Sequence, residues 1–158
     1  MSVTVTAGVV HVADVYVLRG AGAGLQVLRL RRAPGQRCAG AWESIHGRRE
    51  ADETPVRAAL RELKEETGFV PVRFYSLSRV EQFWLHTMDA MAVAPVFAAF
   101  VADDAEPVLG VEHDAYEWRS AVDGAEFAWP RENRALADAV HLLSTGTAGP
   151  LEDVLRVC

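Results

Sequence analysis

The 158-residue chain has little of what several protein classes require. No basic residue precedes Arg19, no charged stretch leads into a hydrophobic segment with a cleavage site, and no apolar run approaches the roughly eighteen residues of a membrane-crossing helix. The expectation is a cytoplasmic protein with no membrane partner. Only two cysteines occur, Cys38 in an expected loop and Cys158 at the last position. They form neither a metal-ligand spacing nor a secreted disulfide framework, so both are expected as free thiols. A basic stripe is missing too: the net charge is -6, which argues against a surface that coats a nucleic-acid polymer. Small phosphorylated ligands stay compatible with that charge where a bound cation offsets it. There is no internal repeat, low-complexity tract or linker, so one domain spanning 1–158 is expected.

Half of the residues are hydrophobic and a quarter charged, the balance of a packed globular chain. Residues 3–19 alternate and then run continuously apolar, which predicts one long or two consecutive strands. The turn 20–24 leads to a partner strand over Leu25–Leu30, closed by Arg31 and Arg32. A loop, 33–40, precedes a short strand over Trp42–Ile45. Later strands are expected over 70–77, 80–85 and 92–101, the last broken by Pro95. A helix-like run is read around 121–127, followed by a helix opened by Trp129 and Pro130 and running through Leu143. Nothing in the pattern assigns the tail 147–158.

Between the third and fourth of these strands lies the most informative stretch, Gly47 to Phe69. Thr54 can cap a helix, Pro55 suits its first position, Ala58, Ala59, Leu60 and Leu63 favour it, and Gly68 would end it. At about 100° per residue, Val56, Ala59, Leu60 and Leu63 share one face and Glu62, Glu65 and Glu66 cluster roughly opposite. Like charges so close repel unless cations neutralise them, and several oxygens at this spacing suit a hard divalent ion. A solvated acidic face on an ordinary amphipathic helix is the alternative for three glutamates alone.

The whole run resembles the box of the Nudix hydrolase family. Gly47, Glu53, Arg61, Glu62, Glu65, Glu66 and Gly68 stand at its fixed positions, with Leu63 and Phe69 at apolar ones. The resemblance implies an α/β fold, an α/β/α sandwich with a mixed β-sheet, and hydrolysis of a nucleoside diphosphate linked to another group. It implies Mg²⁺, or Mn²⁺, held by Glu62, Glu65 and Glu66 with the backbone carbonyl of His46, and a salt bridge between Arg61 and Glu53 that orients them. His46 and Asp52 replace glycines common in the family, so the loop geometry there is open.

Outside the box, Glu112-His113-x-Ala115-Tyr116-x-Trp118 and Trp42-x-Ser44-x-x-Gly47 are similar to the dihydroneopterin triphosphate pyrophosphatase and dATP pyrophosphohydrolase branch. That likeness carries a metal-approaching role onto Glu112, and Glu62 and Glu112 both remain eligible as the base. Arg31 and Arg32 are candidates to grip a phosphate, or are a solvated strand end. Trp84 is a candidate to stack on a flat ring, or is core. The expected substrate is a nucleoside triphosphate or dihydroneopterin triphosphate cleaved with release of pyrophosphate. ADP-ribose, a dinucleoside polyphosphate, and a non-catalytic nucleotide-sensing module remain the alternatives, and a homodimer is open by fold analogy.

Overall fold

A computed structural model describes residues 8–158; the part of the first expected strand before Gly8 lies outside them. Among the described residues seven strands form one mixed sheet. They are β1 (Gly8–Arg19), β2 (Gln26–Arg32), β3 (Trp42–Glu43), β4 (Ile45–Arg48), β5 (Arg73–Leu85), β6 (Ala90–Phe100) and β7 (His113–Ser120). The order is β3-β2-β1-β6-β5, with β4 on β1 and β7 on β2. The β1–β6 pairing is parallel and the others are antiparallel. Helices α1 (Pro55–Thr67), α2 (Pro130–Leu143) and the short α3 (Glu152–Leu155) complete the fold.

Each face of the sheet carries its own core. On one side Ala58, Ala59 and Leu63 of α1 pack on Val15, Leu28, Leu30, Ile45 and Phe97. On the other, Leu136, Ala139 and Leu143 of α2 pack on Tyr16, Leu18, Val27, Tyr75 and Phe100. The layers are helix, sheet, helix, which is the α/β/α sandwich with a mixed sheet expected from the sequence. Alternation along β1 produces this: Ala13, Val15 and Val17 face α1 while Tyr16 and Leu18 face α2.

Several expected boundaries shift for identifiable reasons. The strands expected over 70–77 and 80–85 are one strand, β5, with a register shift between Ser76 and Val80 where Ser78 takes φ 52°. Pro95 does not break β6. Its missing N–H coincides with a gap in the β1 ladder, which pairs Val93 with His11 and resumes with Val96 on Asp14. The Trp42–Ile45 strand divides at Ser44, so that β3 serves β2 and β4 serves β1. Leu25–Leu30 meets β1 only through Val27 and Gln26; the main partner of β2 is β7. No helix forms over 121–127. Gly124 (φ 81°) turns that segment, and Asn133 of α2 accepts from Phe127 N and donates to Phe127 O, tying it down as a loop. The tail is pinned to β5 by Tyr75–Arg156 pairing and by Tyr75 Oη donating to Glu152 at 2.9 Å.

The helix that carries the box is delimited as its sequence implies. Thr54 Oγ1 accepts from Arg57 N at 3.2 Å, Pro55 opens the first turn, and Gly68 closes the helix at φ 74° with its N–H on Lys64 O. A side chain at Gly68 would meet only Val108 at ordinary contact distance, so the cost of Gly68→Ala lies in the backbone. A left-handed non-glycine residue costs about 1–2 kcal/mol. For a protein of this size each kcal/mol shifts Tm by about 2–4 °C, so thermal unfolding of Gly68→Ala should show a fall of a few degrees. An unchanged Tm would mean that the cap has been misread.

Candidate active site

The loop from β4 into α1 folds around one guanidinium. Arg61 donates through Nε to Glu53 at 2.9 Å and through a terminal nitrogen to the other Glu53 oxygen at 3.0 Å, a bidentate pair. The same side chain reaches Glu62 at 2.6 Å, Glu65 at 3.3 Å and the carbonyl of Arg48 at 2.9 Å. Glu53 also accepts from Glu50 N at 3.0 Å. The hydrogen bonds from Arg61, and then that from the Glu50 amide, hold the Glu53 carboxyl down at about 2.

Gly47 is required for close approach rather than for its dihedral angles. A Cβ built there would overlap the Glu62 carboxyl, so β4 presents bare backbone to that side chain. At the next glutamate pair the helix surface changes character. Glu65 is more than half exposed, whereas Glu66 is only 6% exposed and its Oε2 has no hydrogen-bond partner among the described residues. Glu66 therefore does not lie on a solvated acidic face. Burial first, then the charges of Glu62, Glu112 and Glu43, push its carboxyl well above the usual range. Burial likewise raises Glu62, against the pull of Arg61 and with the added charge of Glu65 and Glu112.

Glu112 lies just ahead of β7, half exposed, and accepts from Arg32 at 2.8 Å. Next to it, His113 is buried, with Nδ1 3.8 Å from Glu66 Oε2 and Nε2 3.6 Å from Glu43 Oε1. His46 places its imidazole 3.6 Å from Glu43 and 4.0 Å from Glu132. The chain thus brings Glu62 within electrostatic reach of Glu65 and Glu112, and Glu66 within reach of Glu62 and Glu112, with the His46 backbone beside Gly47.

Two of the three expected contacts with substrate are bonded to carboxylates, and the third is exposed. Arg31 makes two bonds to Asp114, at 2.8 and 3.2 Å. Arg32 spans Glu112 and, at 3.4 Å, Glu43. Trp84 is 49% exposed on β5, opposite Met91, on the face of the strand away from Phe83. Among the described residues no group of three or more His, Cys, Asp and Glu side chains is already arranged to hold a metal ion. Arg61 bonds to both Glu62 and Glu65.

Sequence reasoning missed the polar layer behind these residues. Glu43 is buried and shared by Arg32, His46, His113 and the Trp129 indole N–H. Buried Glu132 of α2 accepts from the Ser44 backbone N–H at 2.9 Å and from its hydroxyl at 2.6 Å. Buried Asp14 pairs with Arg131, whose guanidinium lies 4.4 Å from the centre of the Phe83 ring. Burial raises the carboxyls of Asp14 and Glu132 despite these partners. A charged residue inside an apolar strand run, as Asp14 is, was the available signal. A groove of about 660 Å³ between the 121–126 loop and α2 contains none of the box carboxylates.

The comparisons agree with this geometry. The NUDIX domain family model matches residues 10–139, and the chain belongs to that family. A Myxococcus xanthus octanoyltransferase is 38% identical over 113 residues, covering 66% of this chain and 29% of that protein. The chain therefore spans less than a third of the length of this curated relative. A MutT protein structure from Methanosarcina mazei is 28% identical, with TM-score 0.66 over 85% of this chain and 94% of that one. Two structures bearing different activities superpose about equally well. A C. elegans Ap4A hydrolase is 19% identical, with TM-score 0.69 over 85% of this chain and 97% of that one. The E. coli dihydroneopterin triphosphate pyrophosphohydrolase is 23% identical, with TM-score 0.66 over 83% and 94%. At such identities the likeness shows the fold. Nudix hydrolases generally use divalent metal ions. No helix among the described residues is long and apolar enough to cross a membrane.

The Arg61–Glu53 pair makes a prediction about acid. Glu53 titrates at about 2 in the folded chain and near 4.5 without its partners, so its contribution to stability is complete above the higher value and is lost as pH falls toward the lower. In stepped-pH thermal unfolding, the Tm gap between wild type and Glu53→Gln should stay constant from about pH 8 to 5.5 and close below about pH 4.5. A gap that ignores pH would count against the pairing.

Proposed function

We propose that the chain hydrolyses a phosphoanhydride in a nucleoside triphosphate or dihydroneopterin triphosphate with Mg²⁺, releasing pyrophosphate. The observation that carries the reading is the buried, unpartnered Oε2 of Glu66 beside Glu62 and Glu112. Desolvated carboxylates that repel one another are an unfavourable arrangement which a hard divalent cation relieves. The donor set fits such an ion: Glu62, Glu65, Glu66 and Glu112 would hold it, with the His46 backbone carbonyl. Such an ion draws negative charge off the phosphates and eases ionisation of the attacking water.

The residues do the rest. Glu65, exposed and held by Arg61 at only 3.3 Å, can turn toward the cluster at small cost, while Arg61 keeps its stronger grip on Glu53. Glu62 and Glu112 are the two carboxylates available to take the proton from water. The burial that raises Glu62 moves it toward the range in which a base works at neutral pH. The burial of Glu66, 3.8 Å from His113, supports a ligand's role for it rather than a base's. The triphosphate reading leans on the Glu112-His113 and Trp42-x-Ser44 similarities. The intact box favours catalysis over a purely sensing role. A reducing cytoplasm fits the two exposed thiols, Cys38 and Cys158.

Glu66→Gln separates function from stability. A buried carboxylate whose pKa is raised by folding penalises the fold above its unfolded pKa, so in EDTA at about pH 8 the variant should melt at or above the wild-type Tm. Its Mg²⁺-dependent turnover should fall by at least about 10²-fold. Turnover at the wild-type rate would remove Glu66 from the site. Incubation with nucleoside triphosphates, dihydroneopterin triphosphate, ADP-ribose and dinucleoside polyphosphates tests the substrate class. Pyrophosphate is expected from the first two, and its absence with all of them, alongside phosphate products from the others, would overturn the triphosphate reading.

A further inference from the structure

Glu43 is a carboxylate that the proposed chemistry does not use, yet it is almost fully buried, with a side chain only 4% exposed. An isolated ionised carboxylate in such a place is costly unless donors surround it. Four polar groups do. Arg32 Nε lies 3.4 Å away and His46 Nε2 and His113 Nε2 lie at 3.6 Å, ion-pair distances, while Trp129 Nε1 donates a hydrogen bond at 3.4 Å. Burial pushes the Glu43 carboxyl up, but His113, His46 and Arg32 more than reverse this and leave it below its ordinary value.

Three of those four partners lead onward to the expected metal ligands. The other nitrogen of His113 faces Glu66 Oε2 at 3.8 Å, close enough to act on it electrostatically but too far for a hydrogen bond. Arg32, through a second nitrogen, holds Glu112 at 2.8 Å and, through Nε, donates to the carbonyl of Arg37 at 3.0 Å, which fixes its fork. His46 contributes its own backbone carbonyl next to Gly47. We propose that Glu43 is the positioning residue of the metal site: one buried carboxylate on β3 that fixes Glu66 through His113, Glu112 through Arg32, and the ligand carbonyl of His46 through its imidazole.

The proposal rests on the metal-dependent reading above. A carboxylate that orients ligands from behind resembles the outer partners of metal sites in general, whose loss typically costs 10–100-fold in metal affinity. Simple charge could mimic part of this, because removing an anion near a cation site weakens binding. Arg32 separates the two explanations. Deleting its positive charge should tighten cation binding if only charge matters, and should weaken it if Arg32 transmits the position of Glu43 to Glu112.

The experiment is titration of Mn²⁺ alone into the full chain, with free Mn²⁺ followed by electron paramagnetic resonance, for wild type, Glu43→Gln, Arg32→Gln and His113→Gln. Tm in EDTA is measured alongside, and titrations are run well below it. All three variants are expected to raise the Mn²⁺ Kd by about 10–100-fold, whatever the change in Tm. Tighter or unchanged binding by Arg32→Gln, or unchanged binding by Glu43→Gln, overturns the proposal. Should Glu43→Gln not fold, Arg32→Gln and His113→Gln decide it by the same criteria. Wild type that binds no Mn²⁺ would instead sink the metal reading, and this proposal with it.

Discussion

Four carboxylates at one end of a helix repel one another, and much of the local architecture follows from keeping them there. Arg61 is the internal counterion. By holding Glu53 bidentately while touching Glu62, Glu65 and the Arg48 carbonyl, it joins the loop before α1 to the helix that follows. Gly47 lets β4 come up against Glu62, and the apolar face of α1 locks the whole unit onto the sheet through Leu63 and its neighbours. The arrangement is compact because each charge has a place assigned by backbone and core rather than by other surface charges. Surface pairs are worth only about 0–1 kcal/mol, too little to hold a cluster of this kind by themselves.

A second polar layer sits behind the first, on strands β1, β3 and β4 and the start of α2. Glu132 accepts from Ser44 and Asp14 pairs with Arg131, so the N-terminus of α2 is fastened to the same strands that lead into the box. Asp14 Oδ1, Tyr16 Oη and Glu132 Oε2 are buried with no hydrogen-bond partner among the described residues. Such groups cost free energy wherever they occur, and natural chains keep them mainly where function requires it. Helix α2 is thus held to the strands by polar contacts at its N-terminus and by apolar packing along the rest of its length.

How legible this was depended on the range of the signal. Helix α1 was readable to the residue because its caps are local: Thr54, Pro55 and Gly68 each act within one turn. That Glu62, Glu65 and Glu66 lie near one another was readable because their spacing is a helical repeat. The division of residues 70–85 into two strands failed because a bulge at Ser78 resembles a turn in sequence and only the continuous pairing with β6 reveals one strand. Pro95 reads as a break unless one knows that the β1 ladder lapses beside it. The segment 121–127 has helix-forming residues, but Asn133 spends its side chain on Phe127, a contact that sequence spacing does not announce. Glu43 was invisible for the same reason: its importance lies in residues 32, 46, 113 and 129, which converge only in the folded chain. Arg31 and Arg32 looked like phosphate grips because their carboxylate partners, Asp114 and Glu112, lie some eighty residues away.

The tail has a role that the site does not explain. Strand β5 is the outer strand of the sheet, and its N-terminal half would offer a row of open amides and carbonyls. Phe74 instead bonds to Val157 and Cys158, its N–H to the Cys158 carbonyl and its carbonyl to the Val157 N–H, both at 2.7 Å. Exposed sheet margins template strand addition between molecules. Residues 156–158 thus act as a selvedge, closing off part of a sheet margin that would otherwise stand open to strand addition.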